Sequence, residues 1–295
     1  MITVSDYLKA KYGCKVYKLS LQTGCTCPNR DGTKGEGGCI FCSEGGSGDF
    51  AAPAVSISEQ IELAKKKVDS KFPKNAERKY IAYFQSFTNT YGDVPTLEEL
   101  YREAISHDEI VGLSIGTRPD CLPDEMIDML CRLNDIKPVW VELGLQTSSD
   151  ETARLINRCY DLREFEDGYR RLKERGLYTV IHMIVGLPGE SEDKILNTAR
   201  YIASLDPLPD GIKIQLLHIL QGTTLAKMYE NKPFHILTLD KYCNLVKKIL
   251  GILPEDIVIH RLTGDGPKSL LIEPKWSGDK KRVMNALSHV LAGKS

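Results

Sequence analysis

The chain has 295 residues, 42% of them hydrophobic and 27% charged, with a formal net charge of −1. This is the composition of a globular protein with ample core material, and it excludes non-specific nucleic-acid binding through bulk charge while leaving a local basic face open. No apolar run reaches the ~18 residues of a membrane span, and the N-terminus lacks the charged-then-apolar order of a secretory signal, so a cytoplasmic protein with no membrane partner is expected.

Taken in chain order, apolar β-type runs alternate with helical patterns. KVYKLSLQT (15–23) reads as the first strand, and a cysteine-rich loop follows it. ISEQIELAKKKVDSKF (57–72) is a helix opened by Ser56, with Ser58 as an alternative cap. YIAYFQSF (80–87) is a strand, and TLEELYREAIS (96–106) is a helix with a capping box from Thr96 to Glu99. IVGLSIG (110–116) leads to PDEMIDMLCRLN (123–134), which has proline in its first turn. PVWVELGLQ (138–146) is followed by helices at 149–158 and 162–176, the second ending on Gly176. YTVIHMIVGL (178–187), a serine-capped helix at 191–205 and GIKIQLLHIL (211–220) complete the series.

Several of these strands are nearly continuous apolar runs, as strands covered on both faces should be. Strand then helix in repetition means parallel strands joined by right-handed crossovers, in either an open doubly wound sheet or part of a barrel. After residue 221 the rhythm changes to a helix at 235–250, a short strand at 254–262, SLLIEPKW and a basic terminal helix. The expected division is a core over 1–227 and an α/β extension over 228–295. In parallel α/β folds, ligands collect at the C-terminal ends of the strands. The cysteine loop, FTNTYG, TRPD, QTSSD, PGES and QGTT all fall there and would share one rim.

Nine cysteines are present, and five precede residue 43. A clustered set in a reducing compartment points to metal or redox chemistry rather than to a disulfide framework. GCTCPNRDGTKGEGGCIFC (24–42) admits two readings. Cys25, Cys27, Cys39 and Cys42 could close a tetrahedral zinc site that fixes the loop and does no chemistry. Alternatively Cys27, Cys39 and Cys42 bind three irons of a 4Fe–4S cluster, leaving the fourth iron for a ligand. The single residue between Cys25 and Cys27 is short for a zinc knuckle, and extended chain would point the two thiols to opposite sides. Spacing alone leaves both readings standing.

CPNRDG…GGCIFC resembles the cluster loop of radical S-adenosylmethionine (SAM) enzymes, in the branch related to the catalytic subunit of Elongator and, within it, the YhcC-like proteins. The resemblance runs along nearly the whole chain through KVYKLSLQTG, FQSFTNTYG, IGTRPDCLP, VWVELGLQT, HMIVGLPGE, KIQLLHILQGT and RLTGDGP. It implies an α/β fold, a partial (β/α)6 TIM-like barrel of parallel strands with a small C-terminal extension. It implies Cys27, Cys39 and Cys42 as ligands of one 4Fe–4S cluster, with Cys25 outside the set. SAM would chelate the open iron and be cleaved reductively to a 5′-deoxyadenosyl radical. An external one-electron donor such as flavodoxin or ferredoxin would feed the cluster.

The resemblance also assigns SAM contacts: Gln85 and Ser86, with Asn89 behind them, and Gly186 in IVGLPGE beside the adenine, although an ordinary turn would also produce GLPG. Glu142 and Gln146 face the same way at i and i+4 of a strand. A carboxylate in such a run needs a partner, which a ribose diol, the SAM amino group or an arginine would supply. Arg118 and Arg154 are the local cations, for Glu142 or for the SAM carboxylate. His182 reads as structural, Trp140 as core, and His218 stays open.

The basic runs 65–79, 170–175, 247–248 and 280–282 each read singly as solvated helix surface. Family relatives act on the wobble uridine of tRNA. The resemblance points to conversion of 5-carboxymethylaminomethyluridine to 5-aminomethyluridine. Alternatives are a radical SAM enzyme on a small molecule such as a porphyrin or lipid precursor, and a non-catalytic zinc-stabilised RNA-binding protein. Cys25 separates the cluster from the zinc site. After anaerobic purification, Cys25→Ala is expected to keep about four irons per chain and Cys27→Ala to lose them. Equal loss in both variants would return the zinc reading.

Overall fold

The computed structural model describes residues 1–46, 48–53, 55–74, 76–264 and 266–293. Its main sheet contains β1 (Val16–Leu21), β2 (Lys79–Phe84), β3 (Ile110–Thr117), β4 (Val139–Gln146), β5 (Tyr178–Val185), β6 (Gly211–Leu216) and β8 (Val258–Arg261). The strand order is β1-β2-β3-β4-β5-β6-β8, and every neighbouring pair is parallel. A small antiparallel pair, β7 (Ile219–Leu220) and β9 (Leu271–Glu273), lies beside it.

The sheet is curled into a half-barrel. Lys18 of β1 and Lys213 of β6 reach the same carboxylate on β4, although four strands separate β1 from β6 in the sheet order. A flat sheet at 4.7–4.9 Å per strand could not bring them together.

The crossover helices are α2 (Ile57–Val68), α3 (Val94–Ser106), α4 (Asp124–Asn134), α5 (Asp150–Leu155), α6 (Leu162–Glu174) and α7 (Glu192–Ala203). Their apolar faces and the outward-facing strand residues, among them Leu19, Ala82, Leu113, Val141, Ile181 and Ile212, make one continuous core. The caps follow the chemistry of exposed helix N–H groups. Ser56 and Asp161 form capping boxes with Glu59 and Glu164. Ser58 instead bonds Glu103 at 2.7 Å. The third helix begins earlier than Thr96, because Asp93 accepts from the Thr96 amide at 3.0 Å and Pro95 occupies the first turn.

Each expected strand is present, most of them shorter at one or both ends; β2 begins one residue earlier at Lys79, β3 runs one residue further to Thr117, and GIKIQLLHIL divides into β6 and β7. Two helices were not expected: α1 (Val4–Tyr12) and α8 (Thr224–Asn231). The first seals the base of the half-barrel. Its Leu8 packs on Ile81 and Trp140, Trp140 stacks on Tyr178 at 5.1 Å, and Thr3 bridges Ile259 of β8. Trp140 is therefore core, as expected.

The segment from residue 228 continues through α9 (Leu239–Ile252), β8, β9 and α10 (Lys280–Leu291). It is continuous with the barrel, since β8 extends the main sheet and α9 packs on α7. Among the described residues no helix is long and apolar enough to cross a membrane.

Candidate active site

The loop after β1 is wound by its own amides. Arg30 N and Asp31 N donate to the Cys27 carbonyl at 2.8 and 3.3 Å, Gly38 N to Asn29 O at 2.7 Å, and Cys42 N to Cys39 O at 3.0 Å. Asn157 clamps it from the β4–α6 connection, donating to Gly38 O at 2.8 Å. Lys34 fixes it from outside by pairing with Asp120 at 2.9 Å and Glu164 at 3.1 Å. Gly46 stands at φ +57°, where a Cβ would lie 2.3 Å from the Phe87 ring, so a side chain there would displace the rim.

Cys27, Cys39 and Cys42 line one cleft at the C-terminal ends of the strands. The Cys39 thiol is pushed well above its ordinary value, first by its hydrogen bond with the Cys42 thiol and then by burial. Cys25 is turned away. Its sulfur packs towards Gly92 and Leu97, and it does not line the cleft. The cleft wall also carries Asp49, which accepts from Ser43 at 2.9 Å, and Glu142, but its three soft thiols suit iron–sulfur or another thiophilic group. Gln146 lines the same cleft, and its Oε1 is buried with no hydrogen-bond partner. Its backbone is held at φ +65°, an unusual conformation for a non-glycine residue at a strand end. The residues present therefore fit a cluster with a polar ligand beside it.

Below the thiols, polar side chains project into the lumen from five strands and meet at Glu142 of β4. Oε1 accepts from Lys18 Nζ and from Ser114 Oγ, both at 2.6 Å. Oε2 accepts from His182 Nε2 at 2.8 Å and from Lys213 Nζ. Burial, the largest influence, pushes the carboxyl upward. Lys18, Lys213 and the His182 hydrogen bond overcome it and hold Glu142 well below the usual carboxylate range. Burial pulls His182 down to about 4 against the attraction of Glu142. Its ring is neutral at pH 7, with the proton on Nε2 facing the carboxylate and Nδ1 facing Gln215 at 3.4 Å. Lys213 also donates to the Tyr83 hydroxyl at 2.8 Å, and Arg261 of β8 lines the cleft beside it.

The expected site residues divide into two groups. Gln85, Arg118, Glu142 and Gln146 line the cleft with the three thiols. Ser86, Asn89, Arg154 and Gly186 do not. Ser86 is packed beneath Gly48. Asn89 ties three strand ends together: Nδ2 donates to Phe84 O at 3.1 Å and Gly116 O at 2.9 Å, while Oδ1 accepts from Thr23. Arg154 is exposed on α5, and Gly186 lies against Leu237.

The arginine partner expected for Glu142 is replaced by lysines. Arg118 grips Asp120 at 2.9 and 2.8 Å and also donates to the Arg158 carbonyl. Sequence reasoning missed the real partners, Lys18 and Lys213. The available signal was a lone lysine inside each of the apolar strands VYKLSL and GIKIQL. His182, read as structural, both supports Glu142 and faces the cleft. His218 lines the cleft too, its ring close to Gly264 and Gly266.

Residues 21–202 match the family model of the radical SAM superfamily, and residues 209–292 match the model of the radical SAM C-terminal domain. The chain is 44% identical over 290 residues to YtqA of Bacillus subtilis (strain 168), covering 98% of this chain and 88% of that protein. It is 38% identical to YhcC of Escherichia coli (strain K12), covering 96% and 90%. A shorter match, 30% identical over 53% of this chain and 34% of the relative, is to a tRNA uridine(34) acetyltransferase of Dehalococcoides mccartyi (strain CBDB1). Among solved structures, the Elp3 protein of Methanocaldococcus infernus superposes with a TM-score of 0.67 at 16% identity, over 90% of this chain and 63% of that one. The last likeness is one of fold.

Two measurements test this geometry. Glu142→Gln leaves the buried Lys213 and the half-buried Lys18 without their counter-charge and is expected to lower stability by roughly 3–5 kcal/mol in anaerobic guanidinium unfolding. A change under about 1 kcal/mol would show that Glu142 is not the anchor of the lumen. Glu190 supplies a pH signature, because burial raises its carboxyl to about 7 despite a 2.6 Å hydrogen bond from Thr147. Its folded-state value lies above the unfolded one, so its contribution is fully present below about 4.5 and is lost as pH rises through about 7. Glu190→Gln is expected to match the parent at pH 5 and exceed it at pH 8 by about 1–3 kcal/mol in thermal unfolding. Equal stability at both pH values would contradict this.

Proposed function

The chain belongs to the radical SAM superfamily, and from that premise we propose that it is a tRNA-modifying enzyme acting on the wobble uridine side chain. The reaction we infer is conversion of 5-carboxymethylaminomethyluridine to 5-aminomethyluridine. The observation that carries the chemistry is the sorting of four neighbouring cysteines: Cys27, Cys39 and Cys42 open onto the lumen cleft, and Cys25 faces the core. When bound, a 4Fe–4S cluster with SAM supplies one-electron cleavage of SAM and a carbon radical able to take a hydrogen atom.

The protein's own residues then divide the remaining work. Cys27, Cys39 and Cys42 would hold the cluster, and the Gln146 amide oxygen would accept from a polar group of SAM. Gln85 lines the opposite part of the cleft and would position the same ligand. Arg118 is fixed by Asp120 and lies near the thiols, so its charge favours a reduced, more anionic centre. The curled sheet and its base plug keep water from the lumen below.

The lumen chemistry supports a substrate that ends in a carboxylate. One acidic group, Glu142, faces Lys18, Lys213 and the adjacent Arg261. Basic groups outnumber acidic ones there among the described residues, which suits an anionic substituent near the radical. The tRNA reading also draws on the named tRNA uridine(34) relative, with which this chain shares about half its length. The partner set is tRNA and an external one-electron reductant of the flavodoxin or ferredoxin class.

The deciding experiment is modified-nucleoside profiling of tRNA from a strain lacking the gene. Accumulation of 5-carboxymethylaminomethyluridine with loss of its 5-aminomethyl product is the expected result, restored by the parent gene and not by one encoding Cys27→Ala. Unchanged wobble uridines would end the tRNA proposal.

A further inference from the structure

Beside the cysteine cleft lies a second concavity that the proposed chemistry does not use. Lys18 of β1, Lys67 near the end of α2 and Lys71 just beyond it line one side, and Arg261, Lys268 and Lys280 line the other. Among the described residues no aspartate or glutamate lines it. The neighbouring Asp265 falls outside those residues. The chain carries 39 basic and 40 acidic side chains, so this all-basic lining is a local segregation and not the overflow of a basic protein. The helix surfaces elsewhere look different. On α3 Arg102 pairs with Glu98 at 2.7 Å, and on α6 Arg170 pairs with Glu174 at 2.7 Å. In the groove, Lys67 donates to the Phe50 carbonyl at 3.4 Å, and Lys71 sits over the Tyr17 ring.

Position gives this charge a use. The groove runs along the gap between the two edge strands of the half-barrel, β1 and β8. At the base of that gap α1 and the Thr3–Ile259 bridge close the sheet. Higher up, the groove and the cysteine cleft share Phe50, Tyr83, Gln85 and Arg261 in their walls. The groove is therefore a lateral approach from the surface to the thiols. Phe50 is 49% exposed at the common rim, where its ring offers a stacking face for a base.

We propose that this groove holds the sugar-phosphate backbone of the substrate RNA, so that one nucleotide leaves the strand there and enters the cysteine cleft. The proposal rests on the RNA reading above and adds where the strand lies and which residues grip it. A polyanion matches the exposed Lys67, Lys71 and Lys268 of this lining, Lys18 being held by Glu142, and a flexible strand can deliver a single base into a lumen. An acidic protein surface would match the charge but has nothing to send into the cleft.

The test uses the full chain, reconstituted anaerobically, and an unmodified tRNA transcript followed by fluorescence anisotropy between about 50 and 200 mM salt. The groove variant carries Lys67→Glu, Lys71→Glu and Lys268→Glu, all at exposed positions. A control of equal charge change carries Lys241→Glu, Lys247→Glu and Lys248→Glu on α9. The groove variant is expected to bind at least about ten-fold more weakly than the control, with a salt slope shallower by about 0.7 for each phosphate it no longer neutralises. Iron content and 5′-deoxyadenosine release from SAM without RNA should match the parent, which shows that the fold and cluster are intact. Equal binding by groove variant and control would overturn the groove while leaving the RNA reading in place. Absence of tRNA binding by the parent at the lowest salt would overturn both. Displacement of tRNA by polyglutamate of equal charge would mark the groove as a protein-docking surface and also overturn the proposal.

Discussion

The half-barrel is organised around one buried negative charge. Glu142 is ionised in a lumen that water scarcely reaches, and its cost is offset by Lys18, Lys213, Ser114 and His182 from four other strands. Each partner works only if its strand lies at the right angle around the axis. The carboxylate therefore sets the curvature of the sheet as well as the polarity of its interior. Replacing any one partner would leave a charge or a donor unmatched, so these strands are coupled through a single group.

That coupling also fixes the site above it. The lumen floor and the cysteine loop are built on the same strands, and the loop is tied down at both margins. Asn157 holds its inner side and Lys34 its outer side. Short-range amide bonds then curl the backbone so that three thiols face inward and Cys25 packs against the core beside Gly92. A loop rich in glycine would otherwise have many conformations, and ordering it costs roughly 1–2 kcal/mol per residue. The anchors concentrate that cost in one conformation.

The strand–helix rhythm was readable because each buried strand is a nearly unbroken apolar run and each crossover helix carries a cap and an apolar stripe. The misses have specific physical causes. VSDYLKAKY is short and only weakly amphipathic, so its helix depends on the aromatic packing of Tyr7 against Trp140 and Tyr178. Thr96 looked like a cap, but Asp93 takes that role because its carboxylate accepts from the Thr96 amide and so places Thr96 inside the first turn. The cysteine spacing was legible, since thiols on a flexible loop must be local to one another. The counter-ions of Glu142 were not, because they lie 124 and 71 residues away and only the closed sheet brings them together. Asn89 and Arg118 illustrate the opposite difficulty. Both are polar residues on the rim, yet their hydrogen bonds go mainly into holding backbone and Asp120.

The Thr3–Ile259 bridge has a consequence for how the molecule is made. It joins Thr3 to Ile259, 256 residues further along, so it cannot form until Ile259 has left the ribosome. Cys27, Cys39 and Cys42 emerge long before that moment. The base of the lumen is thus sealed late, and until then the thiols belong to a chain whose barrel is still open. Order of emergence, and not only final geometry, leaves an interval in which these three thiols are accessible.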